Sequence, residues 1–386
     1  MHDVIVIGGG PGGLMAARRL AERGRDVVVL EEHAVIGYPV HCTGLIGLNA
    51  FAELELPRET IRATVRSACF RANGHSVLFH TDRIAAAVVD RGSFDAALAR
   101  GAVLAGASIR TGVRVDRIDV GSKNVEIHTG DRDRPIRGRA CVLACGAKYR
   151  LHRSLGLGIP RAWIQSVQFD APFPPYPHVE VHLGRELAPG GFAWLVPFAA
   201  DGASRARIGV MCQDRAHERF RRFVTALARR SALDVAALPV PQRKMLPLGP
   251  IRKTYATRVV AVGDAAGLVK PTTGGGIYYS LLTGRLAADV LDDALGRDAL
   301  GDAHLREYQA RWKELLGAEI RIGLAFRALT SKLDDGVIQR LLRLSSTDGV
   351  QPLLSSNANF NWHRQTALAL MRNASFRRVI LASVLS

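Results

Sequence analysis

An apolar run, Val4-Ile5-Val6-Ile7, stands at the head of the chain and stops at Gly8. Leu14, Ala17 and Leu20 follow at helical spacing, and a second apolar run, Val27 to Leu30, ends in Glu31. The pattern predicts strand, helix and strand, with both strands apolar enough for the interior of a parallel sheet. After a glycine-rich loop over 37–47, residues 61–81 alternate as a hairpin would, with Asn73-Gly74 at the turn. Arg91 opens a helix through Phe94, Ala97 and Leu98. Strands are predicted over Ser108–Val115, over the alternating stretch Val113–Ile118, and over Val125–Ile127 and Ala140–Ala144.

Between Trp163 and Lys244 the pattern changes. Pro172, Pro174, Pro175 and Pro177 cluster, and strands are predicted over Gln165–Phe169, Val179–Leu183, Ala193–Val196 and Arg207–Met211. Alternation with turn signals predicts an antiparallel sheet forming one wall of a cleft. A helix over His217–Arg230, an apolar strand over Thr257–Val262 and a helix over Tyr278–Leu291 follow. From Ala303 the chain reads as helical, with a break near Asp348–Pro352.

The breaks carry the candidate chemistry. Gly8, Gly10 and Gly13 have G-x-G-x-x-G spacing, with Gly12 in the same turn. Gly8 permits the turn, Gly10 lets backbone N–H groups approach a pyrophosphate at the positive helix end, and Gly13 lets the helix lie close to the sheet. Glu31 is placed to accept hydrogen bonds from an adenosine ribose, with Glu32 its solvated neighbour. A second strand ends in Gly263-Asp264-Ala265-Ala266-Gly267, and Gly274-Gly275-Gly276-Ile277 opens the next helix. Asp264 suits ribityl hydroxyls, and the N–H groups near Gly275, Gly276 and Ile277 suit the pyrimidine side of a flavin. Two distant half-sites name the dinucleotide as FAD. The expected fold is α/β: a Rossmann-like FAD-binding lobe from 1–160 and 250–295, an inserted antiparallel β-sheet substrate domain over 161–249, and a helical region over 296–386.

With 386 residues and 48% hydrophobic content, the chain can build more than one core. No stretch of about 18 uninterrupted apolar residues occurs, so no spanning helix is expected. The opening strand leaves no room for a leader, which predicts a cytoplasmic protein. The net charge of +17 comes chiefly from arginine, since only seven of 52 basic residues are lysine. Without basic runs interleaved with aromatics, that charge predicts no nucleic-acid partner and instead peripheral contact with anionic lipid at the inner membrane face. The five cysteines, Cys42, Cys69, Cys141, Cys145 and Cys212, are odd in number and widely spaced, so neither a disulfide framework nor a metal site is expected.

The opening fingerprint, Arg91 in Val89-Asp90-Arg91-x-x-Phe94-Asp95, and Gly263-Asp264 resemble the FAD frame of the para-hydroxybenzoate-hydroxylase-like flavoproteins. Within that group, Gly37-Tyr38-Pro39-Val40-His41-Cys42-Thr43-Gly44 and Phe192-Ala193-Trp194-Leu195-Val196-Pro197 are similar to segments of the geranylgeranyl reductase family. Val196 departs from that family's pattern, where an aromatic is usual. The resemblance implies that Arg91 and Val115 join the FAD contacts and that the enzyme reduces carbon–carbon double bonds of a prenyl chain. Cys42 would stand close to the flavin as proton donor with His41 as relay, and Phe192, Trp194 and Pro197 would line the substrate pocket. No second G-x-G-x-x-G occurs, so electrons would come from transiently bound NAD(P)H or a small electron carrier. Two alternatives share the frame: a flavin monooxygenase using NAD(P)H and oxygen on an aromatic substrate, and a flavin-binding protein that docks to membranes or partners. For the tail, residues 363–385 predict either a membrane-surface helix or one packed on the FAD lobe.

Overall fold

The computed structural model describes residues 1–130, 134–231, 233–346 and 359–385. Its first sheet is built on β1 (His2–Ile7) and β2 (Val27–Leu30), paired in parallel with Val4 opposite Val27 and Ile7 opposite Leu30. Val4, Ile5 and Val6 are wholly buried, which is why the strand reads as an unbroken apolar run. The order β18-β11-β1-β2-β8 runs parallel through Val259–Ala261, Ile136–Leu143, the two opening strands and Ser108–Arg110. β17 (Tyr255–Ala256) closes one edge, and the antiparallel pair β9 (Val115–Val120) and β10 (Val125–Thr129) branches from β11. The predicted strand over Ser108–Val115 is thus broken, and Gly112 turns the chain at φ 70°.

Helix α1 (Pro11–Ala21) crosses between β1 and β2, and α5 (Ile277–Gly296) lies against it. The two backbones meet at glycines: a Cβ on Gly284 would collide with the Gly12 carbonyl, and one on Gly12 would stand 2.5 Å from Ser280 Oγ. This contact brings the head of α5 beside the turn after β1. Helix α3 (Arg91–Leu104) completes the layer, its N-terminus capped by Asp90, which accepts from Ser93 N at 2.7 Å.

The second sheet has the order β16-β12-β15-β14-β13-β5-β6. Its long strands are β12 (Ala162–Pro172), β14 (Phe192–Ala200) and β15 (Ala203–Cys212), joined by β13 (Val179–His182) and edged by β16 (Gln242–Leu248). The hairpin β5 (Ser67–Ala72) and β6 (His75–His80) turns at Asn73-Gly74 as expected, yet β5 pairs in parallel with β13. Residues 67–80 therefore belong to this sheet and not to the first lobe, so the substrate sheet is discontinuous too. Residues Ile61–Val65 leave the expected hairpin to form β4, which joins β3 (Leu45–Gly47) and β7 (Ala86–Val89) in a third, small sheet. A short helix α2 (Asn49–Glu53) follows β3.

Alternation divides the second sheet into two apolar faces. Ala193, Leu195 and Ile208 pack under α4 (Ala216–Ala228) with Phe220, Phe223, Val224 and Leu227. Trp194, Val196, Phe198, Ile164 and Met211 form the opposite face, against Leu45 and Val88 of the small sheet.

Helix α6 (Asp302–Thr330) runs back along the first lobe, and α7 (Asp335–Ser345) sets Leu342 and Ile338 against Ala72, Val77, Phe70 and Phe79 of the hairpin. Of the last two helices, α8 (Arg364–Arg372) lies on α6, while α9 (Ala374–Leu385) buries Phe376 and Ile380 against Leu341, Leu344, Leu370 and Met371. The tail thus packs on its own helical neighbours. The break expected near Asp348–Pro352 lies outside the described residues.

Candidate active site

The turn after β1 is shaped by overlap. Gly8 holds φ 109°, where a Cβ would collide with the Ala144 carbonyl, and a Cβ on Gly13 would collide with Gly8 O. Gly10 differs: a Cβ there would meet nothing within 4 Å. Helix α1 starts at this opening with no side chain capping its first N–H groups. Glu31 Oε2 accepts from Gly9 N at 2.7 Å and Oε1 from His33 N at 3.0 Å, so the acid braces the turn and retains acceptor capacity. Glu32 points to Lys148 instead. The Val115 carbonyl accepts from Arg150 Nη2 at 2.6 Å, which leaves that oxygen engaged by the protein itself.

At the other half-site Asp264 follows β18. Its Oδ2 pairs with Lys244 Nζ at 3.1 Å, and its Oδ1 lies 2.6 Å from where a Cβ on Gly276 would stand. Gly274 takes φ 69° and rests on the second sheet, with Leu246 Cδ1 3.0 Å and Met211 Sδ 3.3 Å from its Cβ position. Helix α5 opens at Gly276 with no side-chain cap, so this helix head too presents bare N–H groups.

Between the two half-sites lies the Cys42 loop. Gly44 N donates to Cys42 Sγ at 3.4 Å. Arg91 lies close enough to feel the same sulfur electrostatically and binds Asp95 through Nε at 3.2 Å and Nη2 at 2.6 Å. Burial works against that guanidinium, yet Asp95 and Cys42 hold its pKa above the ordinary arginine value. Arg207, only 3% exposed, clamps the loop from the sheet side: it grips Asp170 with two bonds of 2.7 Å and donates from Nη1 to Thr43 O at 2.8 Å.

His41 is no surface residue. Both ring nitrogens are buried without a partner among the described residues. Burial, and then the charge of Lys244, lowers its pKa to about 4, so it is neutral at pH 7. His363, likewise buried and facing Lys270, falls to about 3. Both pKa values lie below the ordinary histidine value of 6.5, so the unfolded chain binds more protons than the fold between these limits. Stability is expected to decline as pH falls below about 6.5, each histidine steepening the slope by up to about 1.4 kcal/mol per pH unit. Urea unfolding of wild type and His41→Gln at neutral pH and near pH 5 measures this; equal slopes in the two proteins would exclude His41 as a source.

Phe192 and Trp194 share the face of β14 that packs with the small sheet, with ring centroids 5.8 Å apart, and Trp194 Nε1 is buried without a partner among the described residues. Pro197 does not join them. It is opposite Ala206, which packs under α4, so strand parity turns Pro197 to the other face. Sequence reasoning passed over Lys244, Arg207, Lys270 and Glu319. Lys270 carried a signal, since it is one of only seven lysines and follows the predicted strand and glycine turn that end at Gly267, whereas Lys244 falls in no predicted element.

Residues 2–165 match the pyridine nucleotide-disulphide oxidoreductase family. Digeranylgeranylglycerophospholipid reductase 2 of Methanopyrus kandleri is 30% identical over 363 residues, covering 88% of this chain and 89% of that protein. The chain belongs to the geranylgeranyl reductase family of FAD-dependent oxidoreductases. A geranylgeranyl bacteriochlorophyll reductase-like protein from Thermoplasma acidophilum shares its fold, with a TM-score of 0.83 at 21% identity over 99% and 98% of the two chains. A halogenase solved in complex with FAD superimposes with a TM-score of 0.67 at 15% identity, covering 100% of this chain and 91% of the other.

As a member of this family the protein is an enzyme that uses FAD. The residues present fit that cofactor. Open space at Gly10, an uncapped α1 and the braced Glu31 suit the adenosine diphosphate; Asp264 and the uncapped head of α5 suit the ribityl and flavin end. No helix among the described residues is long and apolar enough to cross a membrane.

Proposed function

We propose that this geranylgeranyl reductase family member saturates carbon–carbon double bonds of a prenyl chain. The observation that carries the proposal is the contact between the Gly274 turn and Met211 and Leu246 of the apolar sheet face, beside the Cys42 loop. An apolar wall against a flavin-binding turn suits a hydrocarbon substrate, and reductases named for digeranylgeranyl lipids are its relatives. When bound, FAD supplies the hydride equivalent. The chain supplies the rest. Cys42 delivers a proton to the second alkene carbon, and the Arg91 guanidinium beside the sulfur stabilises the thiolate left behind. Neutral His41, with both nitrogens open, relays a proton back to it. Arg207 keeps the loop seated on the sheet, and Phe192 and Trp194 exclude water from the alkene.

Electrons enter from NAD(P)H or a small electron carrier, and the basic surface brings the enzyme to anionic membranes where prenyl lipids reside. The test is anaerobic incubation of the dithionite-reduced holoenzyme with prenyl diphosphates and prenylated lipids, read by mass spectrometry. A gain of about two daltons per double bond is expected. Turnover that needs oxygen and an aromatic substrate, with no such gain, would replace the proposal by the monooxygenase reading.

A further inference from the structure

Lys270 takes no part in the chemistry above, yet it is 4% exposed at the heart of the site. Its Nζ donates to Phe360 O at 2.8 Å and lies 4.5 Å from the centre of the Phe360 ring. Its backbone frames the glycine turn: Gly274 N donates to Lys270 O at 2.8 Å, and Lys270 N donates to Gly275 O at 3.1 Å. A Cβ on Gly275 would stand 3.0 Å from Lys270 Cε and 3.6 Å from Nζ. The amine therefore lies directly behind the N–H groups that receive the pyrimidine end of FAD.

Every element around it leaves that charge without a bonded counter-ion among the described residues. Glu319 on α6 attracts it, but the carboxylate is committed to the N-terminus of α8, accepting from His363 N and Arg364 N at 3.0 Å each. His363, on the other side, is neutral. Cys42 faces it from the loop, and Phe360 offers a carbonyl and a ring. Lysine is seldom buried in this way without a partner.

We propose that Lys270 sets the charge balance of the cofactor site, becoming an ammonium when FAD is reduced and thereby favouring the reduced state. Two electrons from a nicotinamide or small carrier, with one proton to the ring, leave one net negative charge on the cofactor. A second proton, drawn from solvent, charges Lys270 where it was neutral. Burial brings its pKa down to about 7, with Glu319 and Cys42 opposing, so near and above neutral pH the amine has a proton to gain. This inference rests on FAD binding alone and not on the identity of the alkene, so failure of prenyl reduction leaves it standing.

The experiment is the midpoint potential of bound FAD, followed spectroscopically from neutral pH to about pH 9.5 in wild type, Lys270→Arg and Lys270→Met. For a two-electron couple each proton taken up contributes about 30 mV per tenfold change in proton concentration. Wild type is expected to approach twice that slope just above neutral pH. Lys270→Arg keeps the charge but cannot titrate, so its slope falls to the one-proton value throughout. Lys270→Met binds reduced FAD at least tenfold less tightly, relative to oxidised FAD, than wild type does at pH 7. A two-proton segment that persists in Lys270→Arg, or an unchanged reduced-to-oxidised binding ratio in Lys270→Met, overturns the proposal. Should Lys270→Met fail to fold, the slope in Lys270→Arg decides alone.

Discussion

Replacing Cys42 by alanine is expected to lower alkene saturation by at least about a hundredfold while FAD still binds and is still reduced by dithionite. The size follows from what a positioned proton donor contributes, about 10²–10⁴-fold. The selectivity follows from where the sulfur sits. Among the described residues Cys42 receives one hydrogen bond, from Gly44 N at 3.4 Å, and its loop is held by neighbours on both sides: Arg207 at Thr43 O, and Leu45 within the small sheet. Removing one sulfur atom therefore leaves the loop seated and both FAD half-sites untouched. An isolated alkene is a poor hydride acceptor, so without an acid for the second carbon the reduced cofactor should wait, seen as a flavin that stays bleached under anaerobic conditions in the presence of substrate. Flavin reoxidation by substrate at the wild-type rate in Cys42→Ala would remove Cys42 from the reaction. Arg207→Met separates position from chemistry. It frees the loop and should raise KM as well as lower kcat, whereas Cys42→Ala acts on kcat with little change in KM.

The parts of this site that were legible from residues alone were those whose pattern is local. Gly8, Gly10, Gly13 and Glu31 fall within one strand–helix–strand unit, and Asp264 with Gly274–Ile277 falls within one strand–turn–helix unit, so spacing reports their geometry directly. The long-range pairings were not legible. Nothing in the alternation of 61–81 says that one half joins the small sheet and the other runs parallel to β13. β16 reads poorly as a strand because it opens with Gln242-Arg243-Lys244 and contains Pro247; the sheet tolerates both because β16 is an edge. Pro197 shows the same limit at the scale of one residue. The motif that contains it is continuous, but strand parity sends Pro197 to the face opposite Trp194. The cluster of Lys270, Glu319, Phe360 and His363 spans almost a hundred positions and exists only because α6 and the segment before α8 fold back over the glycine turn. Burial, rather than residue type, gives those groups their unusual charge states.

Two neighbouring glycines should separate cofactor binding from folding. Gly10→Val is expected to weaken FAD binding by at least about a hundredfold with little change in the stability of the protein without cofactor, whereas Gly13→Val should lose both. At Gly10 the backbone is extended at φ −82°, which any residue adopts, and a Cβ meets no protein atom within 4 Å. The fold has no reason to notice the change. The pyrophosphate does, because the added isopropyl group fills the space through which it reaches the first N–H groups of α1, and those bonds are the charge-assisted ones. At Gly13 a Cβ would overlap Gly8 O and stand 3.0 Å from Ala144 Cβ and 3.1 Å from Val6 Cγ1. Helix α1 would have to lift from the sheet, at a cost of about 1–3 kcal/mol or more for overpacking. Urea denaturation of the two apoproteins and FAD titration by fluorescence quenching measure the two effects. Equal destabilisation by both substitutions, or FAD affinity retained in Gly10→Val, would mean that the opening at Gly10 is not where the pyrophosphate enters.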